Sequence, residues 1–200
     1  MKTFRHCLPV AAVLLVAASL YAGCSAPAPA EPPPPAASPF RPVATVREVM
    51  NSVIDPSVDV VWNAVGTDID HTGMKDRTPV SDEDWAEVRR HALIVSEAAN
   101  LLLMHDRPVA RPGQPSLAPG VELTPEEIRS LIDKNPDAWS SYVLELQDAL
   151  KPALAAIEAK DTAALLNAGE HIDTTCENCH SVFWYPNAGA PSPNAAASAR

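Results

Sequence analysis

Cys176-Glu177-Asn178-Cys179-His180 is the group of side chains in this chain best equipped for chemistry. Cysteines at i and i+3 share a helical face, and a histidine at i+4 stands one turn from the first of them. Two thiols so placed can form thioethers to the two vinyl groups of a haem, and the imidazole beside them directs a nitrogen at the iron. C-x-x-C-H is therefore the attachment signature of c-type haem. On this reading Cys176 and Cys179 hold one covalent haem c and His180 is the proximal iron ligand. Covalent attachment fixes the orientation of the cofactor, and the surrounding protein tunes the iron.

Three other uses of the same residues stand beside that one. A C-x-x-C pair can exchange with disulfides in an oxidising compartment, although the βαβ pattern of thioredoxin-like folds is missing from the sequence. A zinc site needs a second pair of ligands, and no second cysteine pair follows. A plain disulfide leaves His180 without a role.

The remaining cysteines, Cys7 and Cys24, belong to the N-terminal segment. Lys2 and Arg5 precede an uncharged apolar run, Leu8 to Leu20, too short for a confident membrane span and of the right form for an export signal. The run ends Leu20-Tyr21-Ala22-Gly23-Cys24, which resembles a bacterial lipoprotein signal with Tyr21 where Leu is usual. The resemblance implies cleavage before Cys24 and its acylation, giving a lipid anchor in a membrane. Cleavage by an ordinary signal peptidase nearby leaves Cys24 an incidental thiol. If residues 1–23 depart and Cys24 is lipidated, the haem pair are the only thiols left over.

Residues 24–42 read as a tether. Ser25 to Pro42 carries eight prolines among alanines, too little apolar surface to offset ordering, and is expected to extend as polyproline II. At ~3.1 Å per residue such a spacer reaches roughly 50 Å. Residues 43–187 are one domain's worth of chain, and residues 188–200 form a tail of Ala, Ser, Pro and Asn.

Within 43–187 the apolar periodicity is helical. Val43, Val46, Met50 and Val53 form a first stripe that breaks phase at Asp55-Pro56 and resumes through Val58, Val61 and Val65. Ser81 caps a second helix, with Trp85, Val88, Ala92, Val95, Ala99 and Leu102 on one face, ending near Met104. Thr124-Pro125-Glu126-Glu127 opens a short helix that Asn135-Pro136 interrupts. Trp139, Val143, Leu146, Leu150, Ala153 and Ile157 mark the next helix, which Pro152 is expected to kink. Leu165, Ala168, Ile172, Cys176, Cys179 and Phe183 mark the last. Persuasive period-2 runs are absent; Val58 to Trp62 comes nearest, with flanks that favour helix. Thr67 to Val80 and Arg107 to Leu123 read as polar connectors. The expected fold is all-α, a four-helix bundle carrying one haem.

A C-x-x-C-H motif near the end of the last of four helices resembles the cytochrome c′ and cytochrome c-556 family. The resemblance covers roughly residues 43–186, and its one specific motif is 176–180. It implies a periplasmic haem protein, often dimeric, that carries electrons or binds small gases such as NO and CO. Phe183 matches the family's aromatic residue three places after the proximal histidine, whereas Trp184 replaces the usual basic residue. The family takes its distal residue from the first helix, four places after an Arg. Here Arg47 precedes Met50 by three, and Asn51 holds the matching place. Met50 is the leading candidate for the distal iron ligand, against core packing as the alternative; Met74, Met104 and His91 are weaker candidates. His71, His105 and His171 read as surface or helix-end residues. Arg47 is either a haem-propionate partner or an exposed helix cation. Trp62, Trp85 and Trp139 suit a haem wall and a plain core equally.

Twenty-five acidic against fifteen basic residues, net −10, disfavour nucleic acid, whose phosphates need Lys and Arg clusters. Loss of Lys2 and Arg5 with the signal makes the chain more acidic still, which suits basic protein partners. The expected function is electron transfer to redox partner proteins by a lipid-anchored, periplasmic mono-haem cytochrome, a carrier and not an enzyme. Gas binding at an open iron is the runner-up, and thiol–disulfide exchange the rival from another class.

Overall fold

The computed structural model describes residues 40–186, all within one compact unit. Cys24, the export signal, most of the tether and the tail beyond 187 lie outside the described residues. The element order is α1 (Val46–Val49), a π-helical turn (Met50–Ile54), α2 (Asp55–Asn63), β1 (Gly66–Asp70), β2 (Gly73–Arg77), α3 (Asp82–Leu102), α4 (Pro125–Lys134), α5 (Pro136–Ala159) and α6 (Thr162–Phe183). The chain is mostly helical, with one small two-stranded sheet. No helix among the described residues is long and apolar enough to cross a membrane.

Three starts carry reciprocal capping boxes, Thr45 with Glu48, Ser81 with Asp84 and Thr124 with Glu127. Each satisfies two backbone donors that a helix start leaves open, and such an N-cap stabilises by about 1 kcal/mol. The apolar stripes of α3 and α5 are buried as their spacing requires: Trp85, Val88, Ala92, Val95, Ala99 and Leu102 on one, Trp139, Val143, Leu146, Leu150, Ala153 and Ile157 on the other. α5 packs between α3 and α6, and helix continues through Pro152 to a left-handed C-cap at Lys160. α6 buries Leu165, Ala168, Ile172 and Phe183 and holds Cys176 and Cys179 half-buried beside them.

The first stripe differs from expectation. Val43 precedes the helix and is 97% exposed, while Val46, Val49 and Ile54 are buried and Met50 and Val53 half-buried. The π turn explains the change. The Asp55 N–H donates to the Met50 carbonyl, five residues back instead of four, so an extra residue enters the turn and rotates everything after it. Pro56, having no N–H to give the carbonyl four residues before it, sits just where the wide turn ends. The phase break belongs to this turn, and α2 continues directly from it.

Residues 67–80 are not a plain connector. β1 and β2 pair antiparallel with Gly66 opposite Arg77 and Asp70 opposite Gly73. Asp70 closes the turn by accepting from the Thr72 N–H at 2.7 Å and its hydroxyl at 2.6 Å, and Gly73 takes φ 131°, a value that only glycine adopts readily. Both faces of the strands are exposed and each strand has a single large apolar residue, Ile69 or Met74, so no alternation of apolar residues announces them. Val58 to Trp62 is helix, within α2.

Candidate haem-attachment site

α6 brings Cys176, Cys179 and His180 to one narrow crevice, whose other walls come from α1 (Val46), the π turn (Met50), α3 (Leu102) and α5 (Trp139, Leu146). Only about 40 Å³ of the crevice admits the centre of a water molecule. Phe183 forms its floor, fully buried and edge-on to Trp139 at 5.2 Å and to Tyr142 at 6.0 Å. The Trp139 indole N–H donates to the Leu102 carbonyl at 3.1 Å, so the largest wall residue is fixed in place.

The electrostatics follow from burial in an acidic neighbourhood. Both cysteines are free thiols. Burial, aided by the charges of Asp173, Asp55 and Glu177, pushes the Cys176 thiol up to about 12. Burial, with Cys176 and Glu145 adding to it, pushes Cys179 up to about 12 as well. Burial also lowers the His180 imidazole below its ordinary value, outweighing Glu177, Asp55 and Glu122, which act the other way. A neutral imidazole keeps the lone pair that a metal requires. Burial raises the Asp55 carboxyl, more than the nearby His180 lowers it.

Next to the crevice lies a polar cavity of about 180 Å³, lined by Arg47, Asn51, Asp55, Leu117, Glu122 and Tyr185 and sharing Met50, His180 and Trp184 with the crevice. Arg47 is 6% exposed, which rules out an exposed helix cation. Its Nη1 donates to the Pro115 carbonyl at 2.9 Å, while Nε and Nη2 are buried without an acceptor. An unpaired buried N–H costs about 1–3 kcal/mol, so two donors of this guanidinium stand uncompensated beside Asp55 and Glu122.

The residue types a covalently held haem would need, two thiols and an imidazole, lie on one face of α6 beside a narrow apolar slit of about 40 Å³. An unsatisfied cation, Arg47, lines the neighbouring polar cavity. Met50 lines both spaces. Among the weaker candidates, Met74 sits on the hairpin at 74% exposure, the Met104 sulfur accepts from Arg107 Nη2, and His91 Nε2 pairs with Glu87 at 3.0 Å; none of them lines the crevice. His71, His105 and His171 are exposed. Of the tryptophans, Trp139 and Trp184 line the crevice, Trp85 is core, and Trp62 donates to the Gly169 carbonyl at 3.1 Å. Among the described residues, no three His, Cys, Asp or Glu are grouped to hold a metal ion by themselves.

No family model, curated protein or solved structure matches the chain.

Sequence reasoning missed Tyr185. Its hydroxyl donates to the Glu177 carboxylate, 2.8 and 2.9 Å from the two oxygens, and its ring meets His180 at 5.8 Å and 62°. Burial and Glu177 raise the phenol well above its ordinary value. Tyr185 thus lies against the imidazole just beyond the end of α6. An aromatic pair, Trp184-Tyr185, one helical turn beyond the motif was the available signal. Asp55 was missed too, because its approach to His180 depends on the π turn.

Proposed function

We propose that this chain is a mono-haem c-type cytochrome with its main helices arranged as a four-helix bundle, and that it carries electrons. The observation that carries this reading is the single crevice in which Cys176, Cys179, His180 and Met50 meet among apolar walls. A haem held there supplies a one-electron redox couple.

The chain's own residues do the rest. Cys176 and Cys179 would supply the thioether sulfurs, and His180, whose protonation burial disfavours, would supply the nitrogen ligand. The Tyr185 ring lies against the imidazole, its own hydroxyl bonded to Glu177. Arg47 would receive a propionate on Nε and Nη2, which are buried without an acceptor. Trp139 and Phe183 exclude water, which favours small reorganisation when charge changes. The acidic charges around His180, from Glu177, Asp55 and Glu122, favour a basic protein as electron partner. The export signal, Cys24 and the proline-rich segment support anchoring by lipid on the periplasmic side of a bacterial membrane.

Thiol–disulfide exchange fits this site poorly. It needs thiolates near neutral pH, whereas both thiols are pushed up to about 12.

Optical spectroscopy of the haem-loaded protein tests the electron-transfer role. A low-spin spectrum with a Met–iron charge-transfer band is expected, lost in Met50→Ala, which then takes up CO. A high-spin spectrum with rapid CO uptake, unchanged in Met50→Ala, overturns electron transfer in favour of gas binding at an open iron.

A further inference from the structure

α2 and α6 approach each other closely at a glycine. The Trp62 indole N–H donates to the Gly169 carbonyl at 3.1 Å, and a Cβ at position 169 would stand 3.3 Å from the indole ring. Beside this contact lies a groove of about 310 Å³, with Trp62 and Val65 along one side and Leu166 and Gly169 along the other. Glu170 and Asp173 are the only charged residues of its lining, and no Lys or Arg reaches it. Trp62 is half-buried and Leu166 is 46% exposed, so both offer apolar surface that the fold leaves uncovered.

Along α6, Leu166, Glu170, Asp173 and Glu177 follow at spacings of four, three and four, which puts them on one face. No Lys or Arg forms an ion pair with these three carboxylates among the described residues. Like charges at such spacings repel one another, so the row is eased by positive charge brought from outside. A second copy of this chain is a poor source of it. A two-fold contact would set the row against itself, on a chain of net −10. The row also leads to the haem-attachment site, since Asp173 precedes Cys176 by three residues and its charge bears on that thiol. We propose that this groove docks a basic redox protein, whose apolar anchor enters between Trp62 and Leu166 and whose Lys or Arg side chains meet Glu170 and Asp173. Protein interfaces commonly combine an apolar core with a polar rim in this way. The inference rests on the electron-transfer reading of α6 and names the face through which a partner reaches it.

Calorimetric titration of the haem-loaded full chain with mitochondrial cytochrome c, a lysine-rich redox protein, tests it. A saturable one-to-one complex is expected, weakened roughly tenfold when Glu170→Lys and Asp173→Lys are combined. Glu126→Lys with Asp137→Lys, at exposed positions of α4 and α5 outside the groove, should leave binding unchanged. Leu166→Asp separates the groove from net charge, because it adds an acid while removing the apolar contact; weaker binding is expected. Circular dichroism should show every variant folded. Absence of saturable binding, equal weakening by the two charge pairs, or tighter binding in Leu166→Asp overturns the proposal. So does a dimer of the chain that Leu166→Asp abolishes, which would give the groove to a second copy. Stopped-flow mixing of the oxidised chain with the reduced probe checks the underlying reading separately. One electron should pass from probe to chain, more slowly in the variants that bind less well. Intact binding without transfer defeats the electron-transfer reading and leaves the docking face standing.

Discussion

Two long connectors behave in opposite ways. Residues 64–80 form a hairpin in which every strand residue but Gly66 is exposed, with Ile69 opposite Met74 in open solvent. Residues 103–124 carry no helix or strand and are nevertheless bound to the rest of the chain throughout. The Pro108 and Val109 carbonyls accept from the first N–H groups of α1, Val46 at 2.8 Å and Arg47 at 3.0 Å. Arg111 pairs with Glu48, and the Pro115 carbonyl takes Arg47 Nη1. Glu122 gathers the Ser116 hydroxyl and the Leu117 and Ala118 N–H groups, and the Leu123 N–H reaches the Trp184 carbonyl at the end of α6. Regular hydrogen bonding does not make a segment part of the site; buried anchors do. Arg107 and Val109 are such anchors, and between Thr67 and Val80 the hairpin segment has none; its one buried residue, Val65, precedes the strands.

The difference predicts unequal responses to mutation. The largest is expected in Arg107→Ala, which frees the Leu101 and Ala44 carbonyls and the Met104 sulfur. Loss of three buried partners should lower stability by roughly 3 kcal/mol in urea titration. A loss under ~0.5 kcal/mol, the usual scale of a surface change, would mean that the connector is merely draped on the helices. In Arg47→Leu the haem-free protein should keep its stability within about 1 kcal/mol, because two unsatisfied donors leave together with the bond to Pro115. The haem-loaded form should instead lose stability and shift its potential. Equal losses in both forms would make Arg47 a connector clamp alone.

Acid titration sharpens the contrast further. The Glu48 carboxyl lies below its ordinary value, chiefly through the Thr45 N–H, with Arg111 adding to the effect. A carboxyl lowered in the folded state stabilises above its unfolded value, and that contribution disappears as pH falls through the folded value. Glu48→Gln should therefore flatten the loss of stability just below the ordinary carboxylate range. Asp70 is lowered too, by Thr72, but Asp70→Asn should leave the same curve unmoved because only the hairpin depends on it. The smallest effect is expected on replacing residues 67–76 with a short Gly-Ser turn. Helical circular dichroism should be unchanged and stability altered by ~0.5 kcal/mol or less; cooperative loss of helix would give the hairpin an anchoring role.

The sequence makes some of this legible and conceals the rest for physical reasons. α3, α5 and α6 announce themselves because each buries one stripe at spacings of three and four, and side-chain caps at Ser81 and Thr124 mark the starts of α3 and α4. Cys176, Cys179 and His180 are legible because their chemistry depends on local spacing within one helix. The phase break near Pro56 shows in the pattern, but the π turn that causes it needs the backbone. In sequence Arg47 reads equally as a propionate partner and as an exposed cation; its burial follows only from residues 108–115 folding over it, a contact 68 residues distant in sequence. The hairpin escapes notice because neither of its faces is buried.

Covalent attachment of haem through Cys176 and Cys179 is the central claim, and one comparison tests it directly. The full chain, expressed with a periplasmic haem-attachment system, is separated by denaturing electrophoresis and stained for haem beside the double variant Cys176→Ser, Cys179→Ser. The account predicts one haem per chain by intact mass, still bound after denaturation, and no covalent haem in the double variant. Haem stain persisting in that variant, or a natural-sequence chain whose mass carries no haem, would contradict it.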